Sequence, residues 1–376
     1  MRKAELSALT GIRFYAALPV YLAHVKLIPG MEELTGADLF FNVGIGCVSF
    51  FFVLSGFILT YNYADVFRDG VSLDSYKRFV WERFTKIYPV HFLTLLMALP
   101  MAILSPHLPL DWHVVPLHLL LLQCFWPSPT WEVWRYLNVP SWSISCEWFF
   151  YLLAPMAMFF ASGNRRRWVP VSVVTVYALG LGLFLWHGQS DYTRLYLVSW
   201  FAPSRFVEFL VGVLLAVFLA PSRPKLADVS GPAQAAGIAL IIIAAMCRPY
   251  AAWPLAGGIL YVPGSVLLVL GLAHGRGSFV AHLSRPWLNR LGTATFSFYL
   301  VHMPVLRALK GVCLHVGWEI RSRPASWAVV IAVLAVVQTA ALLICYWYEI
   351  PLQKRLRGLF AERREAVRGV TSATFP

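Results

Sequence analysis

The chain has 376 residues, of which 59% are hydrophobic and 13% charged, and its mean hydropathy is +0.65. This balance excludes an ordinary soluble domain. Because a membrane-spanning helix needs about 20 apolar residues, the chain has room for about ten spans and for no separate soluble catalytic domain. The formal net charge of +13 would favour a nucleic-acid partner in a soluble protein. Here, however, most Lys and Arg residues lie between apolar segments, where they set orientation and contact membrane lipids, so no nucleic acid is predicted as a partner.

The apolar segments predict an all-α, polytopic transmembrane helical bundle of about ten spans. In chain order they lie at about 9–29, 39–62, 87–106, 141–161, 168–187, 203–220, 233–247, 255–274, 290–310 and 325–348. The basic start followed by an apolar segment is similar to a signal peptide, but Arg13 interrupts the segment and more spans follow. We therefore expect an uncleaved first span, and a single domain over residues 1–376 with a polar tail from about residue 363.

One further apolar segment, Val114 to Trp126, is only about thirteen residues long and lies between prolines, which favours a re-entrant or interfacial position. If it does not cross, the connections rich in Lys and Arg all share the side of Arg2 and Lys3. The positive-inside rule makes that side, with both termini, cytoplasmic. Counting the segment as a span would instead place Arg165–Arg167 outside.

Ionisable residues inside the spans are candidates for function, because each costs at least about 2.5 kcal/mol at mid-helix. The first span carries Arg13 near its inner end and His24 eleven residues later. Eleven helical steps rise about 16 Å and return to nearly the same face, so one face of this helix links the two sides of the membrane. The alternative is that Arg13 extends to lipid headgroups and His24 is a hydrogen-bonded core histidine.

The second span carries a pair of small residues, Ser55-Gly56, in its cytoplasmic half, which allows either close helix packing or access of a ligand to the backbone. The stretch RFVWERFTKIYP follows and leads into the third span. Its Arg83 and Lys86 could anchor the chain at the membrane surface, or they could hold a phosphorylated ligand that arrives from the cytoplasm.

The fourth span opens with NVPSWSISCEWFFY and places Trp142, Ser143 and Glu147 in its outer third. A carboxylate there needs a cation, a proton or hydrogen-bond donors.

The later spans add four more polar residues. Arg205 and Glu208 share one face of the sixth span and could simply pair with each other. The ninth span carries His302, and the tenth ends with Glu349 near the cytoplasm.

Together these groups predict two clusters at opposite depths. The inner cluster suits a phosphate-bearing donor and contains Arg13, Ser55, Arg83 and Lys86. The outer cluster contains His24, Trp142, Glu147, Arg205 and Glu208. No metal site is predicted, because the six cysteines form no CxxC motif and no Cys/His ligand spacing.

At this point the residues resemble the integral-membrane acyltransferase 3 family of bacterial O-acetyl and O-acyl transferases, which modify surface polysaccharide. Seven matching pieces follow in family order and cover nearly the whole chain: the pair Arg13 and His24, GCVSFFFVLSGFILT, ERFTKIYP, NVPSWSISCEWFFY, SRFVEFLVG, YLVHMP and YEIPLQKR. The resemblance implies a multi-pass protein of the bacterial inner membrane. It also implies that acyl-CoA, such as acetyl-CoA, binds from the cytoplasm and acylates a hydroxyl of a glycan or lipid-linked sugar outside.

By position, the resemblance makes His24 the essential histidine and Arg13 the donor-side arginine. Ser55 and Gly56 fall in an SGF motif, and Glu147 falls in an SWSxxxEW motif. Where the family often has paired arginines before IYP, this chain has Glu82-Arg83 and then Lys86, which implies that the CoA phosphates are held more weakly or with the help of Arg78. Some relatives carry an extracytoplasmic esterase-like domain. This chain stops after its tenth predicted span, which implies direct transfer or a separate envelope partner protein.

The hypothesis for the chemistry follows from what acyl transfer needs, a base for the hydroxyl proton and donors for the developing oxyanion. His24 suits the base, with Glu147 orienting the imidazolium; a covalent acyl-histidine is the alternative. Arg13, Arg83 and Lys86 would bind the donor, while Trp142, Ser143, Arg205, Glu208 and His302 would contact the acceptor. O-antigen, exopolysaccharide, peptidoglycan, glycolipid and macrolide acceptors stay open, as does acyl chain length. A transporter or exporter of a small molecule or lipid-linked sugar is the rival class, although no matching halves with broken helices are visible.

Overall fold

The computed structural model describes residues 3–31, 37–104, 110–125, 133, 136–163, 175, 179, 182, 196–218, 230–250, 257–273, 275–320 and 322–359. Within these ranges every regular element is a helix, which confirms the predicted all-α class. Seven of the described helices are long and apolar enough to cross a membrane. The predicted fifth span at 168–187 and the basic cluster Arg165–Arg167 lie outside the described residues. The total of ten spans and the side of the termini therefore stay predictions.

Twelve α-helices follow one another along the described ranges. They are α1 (Lys3–His24), α2 (Ala37–Phe67), α3 (Leu73–Ile103), α4 (Val115–Leu119), α5 (Trp142–Ala161), α6 (Ala202–Phe218), α7 (Ser230–Cys247), α8 (Val262–Ala273), α9 (Ser278–Leu283), α10 (Pro286–Thr293), α11 (Thr295–Val316) and α12 (Arg323–Leu343). After α12 the chain continues through a π-helical turn, Ile344–Glu349, into a last helical segment at 350–359.

Two predicted spans differ from the seven candidates. The eighth is a shorter apolar helix, Gly258–Ala273, and the ninth corresponds to α11, which is not among the seven. Arg307, Lys310 and two histidines lower the apolarity of α11, whose first half is buried in the protein. His302 is buried in that half, and Arg307 donates to the Tyr136 carbonyl at 3.3 Å, so these two polar side chains contact protein instead of lipid.

α2 and α3 extend beyond the apolar segments. α3 begins at Leu73, after Ser72 caps it by accepting a hydrogen bond from the Ser75 backbone, and Pro89 lies inside the helix. The helix therefore begins before the predicted third span at 87–106, because the basic and aromatic stretch before Pro89 is itself helical. Each helix has 31 residues, or about 46 Å, against a hydrocarbon core of about 30 Å. Their ends therefore project beyond the hydrocarbon.

α2 is the most buried of the seven candidate spans and contacts α1, α5, α6, α7 and α8. Its closest neighbour is α6, and glycines make the approach possible. A Cβ at Gly56 would overlap the Phe209 carbonyl, and one at Gly212 would overlap the Val53 carbonyl. Gly56 therefore allows the close packing of α2 against α6.

The segment that contains α4 is held inside the protein by two histidines. His91 Nε2 donates to the His118 carbonyl at 2.9 Å, and His118 Nε2 donates to the Val133 carbonyl at 2.7 Å. Both histidine side chains are buried. A five-residue helix is too short to cross the membrane.

Candidate active site

A cavity lies between α1, α2, α3, α5, α10 and α11, and three cationic side chains line it. Its empty space is about 970 Å³, including open solvent at its mouth. Arg13 comes from α1, and Arg83 and Lys86 come from α3, where they are three residues apart and so share one helical face. The wall also contains a carboxylate and several hydroxyls: Ser55, Ser143, Glu147, Tyr151, Thr293, Thr295 and Tyr299. This combination provides sites for an anionic ligand beside a carboxylate.

Glu147 faces the cations of this cavity. It interacts electrostatically with Arg13, Lys86 and Arg83, and Tyr151, one helical turn further along α5, donates a hydrogen bond to its carboxylate at 3.2 Å. The Tyr151 hydroxyl also contacts Ser55 of α2. The sequence predicted Glu147 beside His24 at the outer side; the structure instead brings it to Arg13. The reason is that α5 crosses the bundle against α2 and α3, and the depth of a neighbouring helix cannot be read from α5 alone.

Lys86 is fixed by a second carboxylate. Its ammonium pairs with Glu349, which is fully buried, and Ser297 Oγ donates to the other Glu349 oxygen at 2.6 Å. Glu349 closes the π-helical turn after α12, and π-turns are often found at functional sites. Sequence reasoning gave Glu349 little weight, because its partners lie 52 and 263 residues away.

A second opening, which we call the vestibule, lies between the projecting ends of α2 and α3. Its empty space is about 1320 Å³, including open solvent, and its lining contains Tyr63, Arg78 and Glu82. The vestibule and the cavity share Ile58, Leu59 and Arg83. Arg83 therefore stands at the junction of the two spaces, and a long ligand could extend from one into the other.

His24 ends α1, and its ring orientation is fixed by the backbone. His24 Nδ1 lies 2.7 Å from the Val20 carbonyl, one helical turn earlier. Because a carbonyl can only accept, Nδ1 carries the proton in the neutral ring, which leaves Nε2 with its lone pair. The ring also contacts His302 of α11, with His302 Nε2 3.3 Å from Nδ1 and the ring centroids 5.1 Å apart. This arrangement presents Nε2 as an acceptor of a proton.

His24 is not among the residues that line the cavity, but two side chains of α11 connect it to the cavity wall. His302 contacts the ring of Tyr299 edge to face, with centroids 5.9 Å apart. Tyr299 lines the cavity and accepts a hydrogen bond from Ser143 Oγ at 3.0 Å. The chain of contacts from Ser143 through Tyr299 and His302 to His24 therefore joins the cationic cavity to the imidazole. Sequence reasoning missed Tyr299, although it lies one helical turn before His302.

Arg205, Glu208 and Trp142 form a buried cluster elsewhere in the bundle. Arg205 is 1% exposed and Glu208 2% exposed, and their side chains form an ion pair at 3.0 Å. Arg205 also donates to Ser49 Oγ at 3.1 Å and lies over the rings of Phe52 and Trp142. Their predicted contact with an acceptor stays a prediction, and neither Arg205 nor Glu208 is among the residues that line the cavity. The alternative recognised in the sequence, a mutual pair, describes the observed geometry.

Gly56, predicted to help bind the donor, packs against α6 and does not line the cavity, whereas its neighbour Ser55 does. Ser143 lines the cavity, and His302 contacts the His24 ring. Within the part of the chain that the structure describes, no group of three His, Cys, Asp or Glu side chains is placed to hold a metal ion.

Comparison with known proteins extends these findings. A sequence model of a protein family described as an acyltransferase domain matches residues 6–346. The chain is 31% identical over 341 residues to Acyltransferase MdmB of Streptomyces mycarofaciens, covering 81% of this chain and 80% of that protein. It is 29% identical over 284 residues to Exopolysaccharide production protein ExoZ of Rhizobium meliloti (strain 1021), covering 74% of this chain and 81% of that protein. No solved structure matches the chain significantly.

Proposed function

Because the chain belongs to the acyltransferase 3 family of membrane O-acyltransferases, we propose that it moves an acyl group, preferably acetyl, from cytoplasmic acyl-CoA to a hydroxyl of an extracytoplasmic glycan or lipid-linked sugar. In this proposal His24 is the general base. The protein lies in the bacterial inner membrane, with both termini in the cytoplasm.

The observation that carries the proposal is the grouping of Arg13, Arg83 and Lys86 on the wall of one cavity. Cations gathered on one cavity wall suit the phosphates and the developing oxyanion of a CoA thioester. Arg83 also borders the vestibule, so the nucleotide end of the donor would lie there and the thioester arm would extend inward. The ion pair with Glu349 holds the Lys86 ammonium in a fixed position. This supports a role for Lys86 in binding the donor.

His24 would act on the acceptor hydroxyl. Its Nδ1 is tethered to the Val20 carbonyl, so Nε2 can accept the hydroxyl proton as the alcohol oxygen attacks the thioester carbonyl. The carbon–sulfur bond then breaks, and the CoA thiolate leaves and takes up a proton. The ester is the product. His302 replaces Glu147 in this proposal as the side chain that orients the imidazole, because it contacts the ring directly.

Glu147 then belongs to the donor side. With Tyr151 and Ser55 it forms a hydrogen-bonded group beside Arg13, which would position the arginine against the donor. Ser143 and Tyr299 lie between the donor cations and His24, where the acyl group and the acceptor hydroxyl would meet.

The name of one relative supports the proposed class of acceptor. ExoZ is named for exopolysaccharide production, which favours a surface glycan or its lipid-linked precursor as the acceptor. Transfer at the cell envelope would need the acceptor to reach His24 from outside.

The test is transfer of labelled acetyl from acetyl-CoA to envelope glycan, in membranes that contain the wild-type chain or His24→Ala. We expect His24→Ala to bind acetyl-CoA like the wild type and to transfer no label. The matched control is His113→Ala, whose side chain is 84% exposed, pairs with Asp111 and does not line the cavity. Transfer by His24→Ala at the wild-type rate would reject the base, and absence of label with the wild type would reject the reaction.

A further inference from the structure

We propose that Tyr63 and Glu82 are positioning residues that hold the Arg83 guanidinium at the junction between the vestibule and the cavity, where it binds the anionic end of the donor. The inference rests on the proposed function, since it concerns the binding of the same acyl-CoA donor.

A short chain of hydrogen bonds carries the inference. Tyr63 of α2 donates to Glu82 Oε2 at 2.6 Å, and Arg83 Nη2 donates to the Tyr63 hydroxyl at 3.0 Å. The guanidinium carbon also lies 5.3 Å from the centre of the Tyr63 ring and 5.8 Å from that of Phe79. One hydrogen bond and two aromatic faces thus fix a side chain that would otherwise lose much conformational freedom on binding an anion.

Glu82 is a carboxylate in a site that would bind phosphates, and its contacts explain why it is compatible with them. Both of its oxygens are engaged, one by Tyr63 and the other by Arg78 Nε at 3.1 Å. The carboxylate is 18% exposed, whereas Arg78 is 67% exposed. The negative charge is therefore held by its own partners, and both arginines line the vestibule. A carboxylate at this position organises the two cations instead of repelling the donor.

The position of Tyr63 lets it join two helices. Tyr63 belongs to the end of α2, and Glu82 and Arg83 belong to the first third of α3. The tyrosine hydroxyl is the bridge between the helices at this level. Without it, Arg83 would lose the one fixed oxygen partner that it has within the described residues and could swing away from the junction.

The first experiment compares acetyl-CoA binding by the purified full chain and by Tyr63→Phe, which keeps the ring and removes the hydroxyl. We expect the Kd for acetyl-CoA to rise about tenfold, as for one lost hydrogen bond to a charged group. Acetyl-pantetheine lacks the nucleotide phosphates. Its own dissociation constant, measured by competition against labelled acetyl-CoA, should therefore be the same for the wild type and Tyr63→Phe. Tyr76→Phe is the matched control, because the Tyr76 hydroxyl donates to the Leu152 carbonyl and does not line the vestibule.

The second experiment separates position from charge. Glu82→Gln keeps an oxygen that can accept from Tyr63 and should bind acetyl-CoA at least as tightly as the wild type. Glu82→Leu removes the acceptor and should weaken binding about tenfold, like Tyr63→Phe. Asp69→Asn removes an exposed negative charge in the connection between α2 and α3. It is the control for a general change of electrostatic potential.

The outcomes are distinct. An unchanged Kd for acetyl-CoA in both Tyr63→Phe and Glu82→Leu would overturn the inference while leaving the donor assignment intact. Equal weakening of acetyl-CoA and acetyl-pantetheine would also overturn it, because a general loss of structure does not depend on the phosphates. If the wild type bound no acetyl-CoA, the proposed function itself would fail.

Discussion

The buried pair of Arg205 and Glu208 allows a strong test, because sequence and structure assign it different roles. Arg205 makes an ion pair at 3.0 Å and a hydrogen bond to Ser49 Oγ at 3.1 Å, and it is 1% exposed. Removing one partner leaves the other charge buried and uncompensated, which costs about 3–5 kcal/mol. We therefore expect Arg205→Met and Glu208→Leu each to lower the free energy of unfolding by about that amount.

The double variant Arg205→Met/Glu208→Leu should lose much less than the sum of the two single variants, since it leaves no unpaired charge. The assay is unfolding in mixed detergent micelles, followed by tryptophan fluorescence, with all four members of the cycle measured together. Arg276→Met, at an exposed arginine, is the control and should stay within about 0.5 kcal/mol of the wild type. Additive losses, or single losses below about 1 kcal/mol together with a changed KM for the acceptor, would refute the structural role.

The contacts of three other residues can be tested in the same way. Gly56→Ala should destabilise the protein by about 1–3 kcal/mol, because its Cβ overlaps the backbone of α6, whereas Gly70→Ala, with no neighbouring atom within 4 Å, should be neutral in the same unfolding assay. Lys86→Met should leave Glu349 buried without its cation, and both the free energy of unfolding and acetyl-CoA affinity should fall, the former by about 3–5 kcal/mol; the additional change Glu349→Gln should restore stability and not affinity. His302→Phe keeps a ring beside His24 but removes its nitrogen, and kcat should fall by up to about 100-fold while the Kd for acetyl-CoA is unchanged.

Helical periodicity in the sequence was sufficient to predict the relative positions of residues that lie on one helix. Arg13 and His24 are placed on α1 as their spacing predicted, and Arg83 and Lys86 line one cavity because a spacing of three puts them on one face. The apolar segments located the candidate spans in the same way, since a bilayer imposes a minimum length.

What the sequence could not provide is the relative depth of helices that are distant along the chain. Glu147 was predicted near His24 because both lay toward the outer ends of their spans, yet α5 brings Glu147 to Arg13. Glu349 meets Lys86 only after α12 and its π-turn are complete. The basic and aromatic stretch before Pro89 likewise belongs to α3, and a membrane helix tolerates an internal proline when its neighbours satisfy the freed backbone groups.

The π-helical turn at Ile344–Glu349 sets the direction in which the side chains of the last helical segment face. Beyond it, Trp81 donates to the Leu356 carbonyl at 3.1 Å, and Arg357 donates to the Glu82 carbonyl at 3.3 Å. A π-helical turn takes about one residue more than an α-helical turn, so ordinary α winding of the same residues would rotate everything after the turn by about 100°. That change of winding would move the tail off α3 and turn Glu349 away from Lys86 together, so the winding of one turn sets both the packing of the last helix on α3 and the ion pair in the interior.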